Sequence, residues 1–192
     1  MKSTLRPILC VAGLIIMTAC SRSPAVLKDM SDASYPLLNQ DSTAVPFPAD
    51  FSGSPMIVAY IYTHCQSVCP AITANMKNIA ALLPEDAPAR MVLITFDPKR
   101  DRPSVLKRYM QQYELDPSRF SLLTGDTATV SSLMDAIGIR TEVTRDSSMA
   151  GMGYMFNHTN QINLFDSKGR IRGEYGGSMV PPQEVIDDLE KL

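Results

Sequence analysis

The sequence predicts an α/β domain built on a mostly parallel sheet, and three observations predict it. Short apolar runs of strand length alternate with segments of helical period. The last two such runs flank a polar turn containing Gly169, as the strands of a hairpin would. A composition that is 45% apolar over one domain-sized stretch suffices for a single core, and no internal repeat divides it.

Residues 56–62 form a short apolar, β-branched and aromatic run bounded by Gly53, Pro55 and His64, the pattern of a buried strand. From Pro70, a residue suited to a first helical turn, Ile72, Met76, Ile79, Ala80 and Leu83 recur at three- and four-residue steps until Pro84 stops them. Residues 91–96 make a second strand, and Val105, Leu106, Tyr109, Met110 and Tyr113 place a helix over 103–115. A third strand at 120–123 precedes a helix over 127–137, with Asp126 or Thr127 as N-cap and Gly138 as C-cap. This alternation implies parallel strands with crossover helices. Residues 161–165 and 171–175 then pair across Asp166-Ser167-Lys168-Gly169, and residues 182–192 end the chain in a helix with Val185, Ile186 and Leu189 on one face. The order β-α-β-α-β-α-β-β-α is thioredoxin-like, with an inserted helix and a C-terminal β-hairpin plus helix.

The folded domain is expected over residues 49–192. Residues 1–19 read as an export signal, because Lys2 and Arg6 precede an apolar run over 8–17 that ends at Thr18 and Ala19. That run is shorter than the roughly 20 residues a membrane-crossing helix needs. Met17-Thr18-Ala19-Cys20 resembles the lipobox of bacterial lipoproteins, with methionine where leucine is usual. The resemblance implies cleavage before Cys20 and lipidation of that cysteine, which would hold the protein to a membrane on the periplasmic side of the cell envelope. An ordinary secretory signal and an uncleaved anchor are the alternatives. Residues 20–48 are rich in Ser, Asp and Pro without a clear period and read as the lipidated cysteine followed by a flexible tether. Loss of Lys2 and Arg6 takes the formal charge from −2 to −4, and without a long basic tract nucleic acid is not an expected partner.

Of four cysteines, Cys10 lies in the signal and Cys20 at the lipid site, which leaves Cys65 and Cys69 in the domain. They fall just after the first strand and at the start of the first helix, where unpaired N–H groups and the helix dipole favour a thiolate. Three intervening residues put the sulfurs about one turn apart, close enough to share a small ion or to form a disulfide. A purely structural disulfide is the bland alternative. Closing so short a loop contributes only on the order of 1 to 2 kcal/mol, which is a weak reason to keep the pair.

Tyr62-Thr63-His64-Cys65-Gln66-Ser67-Val68-Cys69-Pro70 resembles the signature of the Sco family, copper proteins that take part in assembling cytochrome c oxidase. Asp97-Pro98-Lys99-Arg100-Asp101 is similar to that family's D-P-x-R-D segment, Leu123-Thr124-Gly125 to its L-x-G segment, and His158 to its distal histidine. The resemblance runs from about residue 50 to the C-terminus and implies that Cys65, Cys69 and His158 hold copper, as Cu(I) and also as Cu(II). Soft thiolates suit Cu(I), imidazole accepts either oxidation state, and a site of few ligands leaves room for transfer. A closed zinc site would want a fourth protein ligand.

His64, adjacent to Cys65, is read as a neighbour that tunes the thiolate or faces solvent. Met149, Met152 and Met155 precede His158 at three-residue steps and carry soft thioethers, but among 12 methionines the plainer reading is core filling or an apolar docking surface. Asp97, at the end of the second strand, is placed to orient a ligand or fix the loop beside the cysteines, while Arg100 and Asp101 could pair or cap the next helix.

Through the resemblance the leading reading is a copper carrier, not an enzyme, whose partner is the copper-site subunit of a respiratory oxidase or another periplasmic copper carrier. It would deliver copper to the dinuclear site or keep the site's cysteines reduced. The alternative is a thiol-disulfide oxidoreductase of the envelope working through Cys65 and Cys69. Both uses expect an exposed dithiol. A C-x-x-x-C in place of C-x-x-C, and no proline just before the strand that follows His158, favour metal. A thiol peroxidase would need T-x-x-C, whereas Thr63 precedes Cys65 by two positions.

Overall fold

The computed structural model describes residues 23–145 and 153–192. Its strands are β1 (Lys28–Asp29), β2 (Ser34–Asn39), β3 (Ala44–Pro48), β4 (Met56–Ile61), β5 (Arg90–Thr95), β6 (Phe120–Thr124), β7 (Thr141–Thr144), β8 (Met155–His158), β9 (Gln161–Phe165) and β10 (Arg170–Gly176). The helices are α1 (Val68–Leu82), α2 (Pro103–Gln112), α3 (Thr127–Ile137) and α4 (Pro182–Leu189).

Eight strands form one sheet in the order β1-β10-β9-β4-β5-β6-β2-β3. Every residue of β4 is buried, as its unbroken apolar run requires of a strand covered on both faces. It pairs in parallel with β5, which pairs in parallel with β6, and antiparallel with β9. Helix α1 packs on β4 and α4, α2 on β6, and α3 on β2. The expected helix signals operate: Asp126 accepts hydrogen bonds from the Ala128 and Thr129 amides, and Gly138 closes α3 at φ 91°, a conformation that suits glycine. Pro70 sits in the first turn of α1, where its missing N–H costs nothing. The fold is thioredoxin-like, as expected.

Two parts differ from expectation. Residues 28–48, read as tether, contain three strands of the main sheet, and Met30, Leu37, Val45 and Phe47 are buried in the core. Pro36, Pro46 and Pro48 masked the pattern. Val45 and Phe47 nevertheless alternate with Pro46, and β3 lies at the sheet edge, where a proline need not donate. The second addition is the hairpin β7–β8, a separate two-stranded sheet that pairs Thr141 with His158. Among the described residues no helix is long and apolar enough to cross a membrane. The export signal and Cys20 lie outside the described residues, as do Met149 and Met152.

Candidate metal centre

The cysteine segment leaves the end of β4 and is held from below by Asp101, which has no solvent exposure. Its carboxylate accepts from the Thr63 amide at 2.9 Å, the Thr63 hydroxyl at 2.5 Å and the Thr95 hydroxyl at 2.6 Å. Burial raises the Asp101 pKa, and the hydrogen bonds from Thr63 and Thr95 oppose that rise. The Cys65 amide donates to the Tyr62 carbonyl at 3.3 Å, turning the chain into α1.

At the start of α1 the Cys65 sulfur takes the place of a capping oxygen. Ser67 makes no side-chain cap, and the Cys69 amide, one of the free donors of the first turn, points at Cys65 Sγ over 3.4 Å. The neighbouring Cys69 side chain is the largest influence on Cys65; against the opposing effect of burial it holds the Cys65 thiol down at about 2, helped by His158 and the Cys69 amide. Cys69 is pushed up by the neighbouring Cys65 side chain and by burial. Of the two, Cys65 is thus the one whose environment favours the thiolate and Cys69 the one whose environment favours the thiol. Cys65 is 8% exposed and Cys69 1%, so the expected exposed dithiol is in fact recessed. Both are free thiols.

His158 ends β8 and reaches the sulfurs from across the chain. Its Nδ1 lies 2.9 Å from the Thr159 carbonyl, which can only accept, so Nδ1 donates and Nε2 is the nitrogen left facing Cys69 Sγ at 3.6 Å. Cys65 Sγ, Cys69 Sγ and one His158 ring nitrogen lie within 4.8 Å of one another, the one such group of potential metal ligands among the described residues. Two sulfurs and an imidazole nitrogen at that separation suit a soft ion of low coordination number.

Aromatic rings wall the site. The Phe96 ring centroid is 4.7 Å from that of His158, and Tyr62 stands edge-on to the imidazole at 6.0 Å. Phe156 packs on both Tyr62 and Phe96 at 5.3 Å, and its amide donates to the Tyr62 hydroxyl at 3.4 Å. Burial, with the negative Cys65 sulfur adding to it, pushes the Tyr62 phenol up to about 12.

The structure thus brings Cys65, Cys69 and His158 together and leaves His64 outside, 46% exposed, with Nδ1 turned to Thr63 and Asp101. Asp97 and Asp101 divide their work differently from the sequence reading. Arg100 pairs with Asp97, not Asp101, and it is Asp101 that fixes the cysteine loop. Met155 begins β8 and is half-buried. Sequence reasoning missed Tyr62, Phe96, Tyr154 and Phe156 as parts of the site; the two-residue spacing of Tyr154, Phe156 and His158 was the available signal.

The family model described as SCO1/SenC matches residues 25–192. The chain is 24% identical over 184 residues to the SCO1 protein homolog of Bacillus subtilis, covering 93% of each. It spans about half to two thirds of the length of other curated relatives that it matches. Among solved structures it is similar to a SCO1/SenC family lipoprotein of Bacillus anthracis, at 26% identity and a TM-score of 0.74 over 89% of this chain and 98% of that one. Copper-bound ScoI of Bradyrhizobium japonicum superposes with a TM-score of 0.64 at 25% identity, over 83% of this chain and 97% of that one.

Proposed function

This chain belongs to the SCO1/SenC family, and on that footing we propose that it is a copper-binding assembly factor that holds its cargo ion through Cys65, Cys69 and His158. The carrying observation is the convergence of two sulfurs and an imidazole nitrogen within 4.8 Å, recruited from two distant segments. Likeness to a copper-bound ScoI supports the choice of ion. Copper would be bound here for transfer, with the soft sulfurs retaining Cu(I) and the imidazole serving either oxidation state. The protein's own contribution is positional: Asp101 fixes the Cys65 loop, the first turn of α1 directs an amide at the Cys65 sulfur, and the Thr159 carbonyl orients the imidazole.

The recipient is the copper-site subunit of a respiratory oxidase, or another copper carrier of the periplasm, whose ligands would replace these three. Cys20 is the lipid anchor that keeps the domain at the envelope membrane. The lipobox-like Met17-Thr18-Ala19-Cys20 and the likeness to a family lipoprotein support that placement. Residues 1–19 are the removed signal, and the domain begins before residue 28, ahead of the β1–β3 strands.

Titration with a competing Cu(I) chelator tests the ligand set. The reduced chain should take up one Cu(I). Cys65→Ser, Cys69→Ser and His158→Ala should each weaken uptake by more than about 100-fold, beyond the effect usual for outer-shell changes, while His64→Ala should leave it near the parent value. Unaltered affinity in His158→Ala would remove the imidazole from the site.

A second reading is favoured by one observation, two free cysteines at the start of α1 with the Cys69 amide directed at Cys65 Sγ, an arrangement that holds the Cys65 thiol down while the Cys65 side chain and burial push that of Cys69 up. Such a pair is arranged to reduce a partner's disulfide: Cys65 attacks, the partner's distal sulfur leaves with the electron pair, and Cys69 resolves the mixed disulfide as both cysteines are oxidised. Disulfide reductase turnover by the chain without measurable copper affinity would promote this reading.

A further inference from the structure

The two halves of the site stand on separate supports. The cysteines sit on the main body, while His158 is carried by the β7–β8 hairpin, which runs on through Thr159 and Asn160 into β9 but, among the described residues, shares no strand pairing with the main sheet. Something besides sheet hydrogen bonding must fix the hairpin if the imidazole is to face the sulfurs.

Tyr154, one residue before β8, is gripped from the C-terminal end of β5. The Arg100 guanidinium lies 3.7 Å from the centroid of the Tyr154 ring, and its Nη1 donates to the Tyr154 carbonyl at 2.9 Å. The Tyr154 hydroxyl donates to Asp97 at 2.6 Å, and Asp97 in turn pairs with Arg100. Asp97 is buried, and its amide donates to the Thr95 hydroxyl, so the grip is rooted in the sheet. From Tyr154 a stack of rings leads to the site: Tyr154 to Phe156 at 5.5 Å, Phe156 to Phe96 at 5.3 Å, Phe96 to His158 at 4.7 Å. Residues 154, 156 and 158 are two apart along an extended chain, so one register error in the hairpin would turn all three away from the body.

We propose that Arg100, Tyr154 and Asp97 form a lock that sets the register of the hairpin and thereby the position of the His158 imidazole. Arg100 and Tyr154 are positioning residues: neither belongs to the metal-ligand group, and both act through the ring stack. A planar cation is required at residue 100, because it must lie flat on the tyrosine and reach the carbonyl and the carboxylate together, which an ammonium cannot do. The inference rests on the reading of His158 as a ligand for its consequence in copper binding, though the positional part does not.

The experiment has two arms. In the metal-free full chain, only two histidines give imidazole proton resonances. Those of His158, beside the Phe96 ring, should be displaced by its ring current, whereas the exposed His64 should lie near the free-histidine position. Tyr154→Phe, which removes one hydroxyl, and Arg100→Lys, which keeps the charge, should each move the His158 resonances toward the free position and leave those of His64 in place, a control for an intact fold. In the second arm each variant should lose about 10- to 100-fold in Cu(I) affinity. On a His158→Ala background the same changes should cost nothing more, since the lock acts only through that ring. Unmoved His158 resonances in both variants, or losses that add to that of His158→Ala, would overturn the lock. If His158→Ala alone keeps full affinity, the ligand assignment fails, and the resonances still decide whether the lock exists.

Discussion

Replacing Phe47 by alanine should cost about 4 kcal/mol of folding stability, and the size of that loss decides whether the N-terminal strands belong to the fold. Phe47 is fully buried, with its ring edge-on to Phe51 at 6.2 Å and to Phe165 at 5.6 Å. Phenylalanine-to-alanine changes in a core lose about 3–5 kcal/mol through transfer and cavity effects together. Full burial and two ring contacts put Phe47 in the middle of that range. Native domains hold only about 5–15 kcal/mol in all, so the effect is large. With an m-value of about 2 kcal/mol/M, the urea midpoint should fall by about 2 M. Val26→Ala, at an exposed position on the same segment, should stay within about 0.5 kcal/mol of the parent. A Phe47→Ala midpoint within about 0.5 M of the parent, equivalent to about 1 kcal/mol, would refute the reasoning and restore a tether.

Asp166 supplies a pH-dependent increment. Burial opposes its ionisation, yet Arg170, Arg172 and backbone amides outweigh burial and hold the carboxyl down at about 2. The native state then binds fewer protons than the unfolded chain, where the carboxyl titrates near about 3.9, so the contribution of about 2 kcal/mol is complete above that pH and disappears as pH falls toward 2. Urea midpoints at pH 5 and pH 2.5 should separate parent from Asp166→Asn, the variant losing less on acidification; equal losses would count against the assignment. Asp101→Ala strands the Thr63 amide and the Thr63 and Thr95 hydroxyls, so it should cost about 3 kcal/mol and quicken alkylation of Cys65, with unchanged stability and rate as the contrary result. The Thr73 and Tyr109 hydroxyls bond each other at 2.7 Å in the core. Tyr109→Phe should cost about 1–3 kcal/mol by orphaning Thr73, whereas adding Thr73→Val should recover much of that, and strict additivity would show that the pair is not coupled.

Local signals carried most of the fold. Helix α3 was readable because its N-cap, apolar period and C-terminal glycine all lie within a dozen residues, and the β9–β10 hairpin because Gly169 stands in the turn between two apolar runs. The β1–β3 segment was not readable by the same means. A proline removes a donor and lowers every strand score, although at an edge that donor has no partner to lose. Only the sheet order makes β3 an edge, and sheet order is a property of the whole chain. The exposed strand β7 failed for the opposite reason: with three residues exposed and the last half-buried, it has no apolar face to announce it.

The candidate site divides along the same line. Cys65 and Cys69 were found from residues four apart at a helix start, a relation that local geometry fixes. The imidazole stands 89 residues from Cys69 in sequence, and nothing but resemblance connected them before folding did. Asp97 and Asp101 show how little sequence position says about role: the turn that follows β5, with the Asp101 amide donating to the Asp97 carbonyl at 2.9 Å, sends the later carboxylate under the cysteine loop and the earlier one toward Tyr154. That division has a consequence for binding. Closing a loop of such length is unfavourable by several times RT, and folding has already met this cost before any ion arrives. Under the proposed ligand set the dithiol alone could hold an ion in an unfolded chain, whereas His158 would join it only where the β7–β8 hairpin is seated, so the part of the affinity owed to His158 would be the part that reports a native fold.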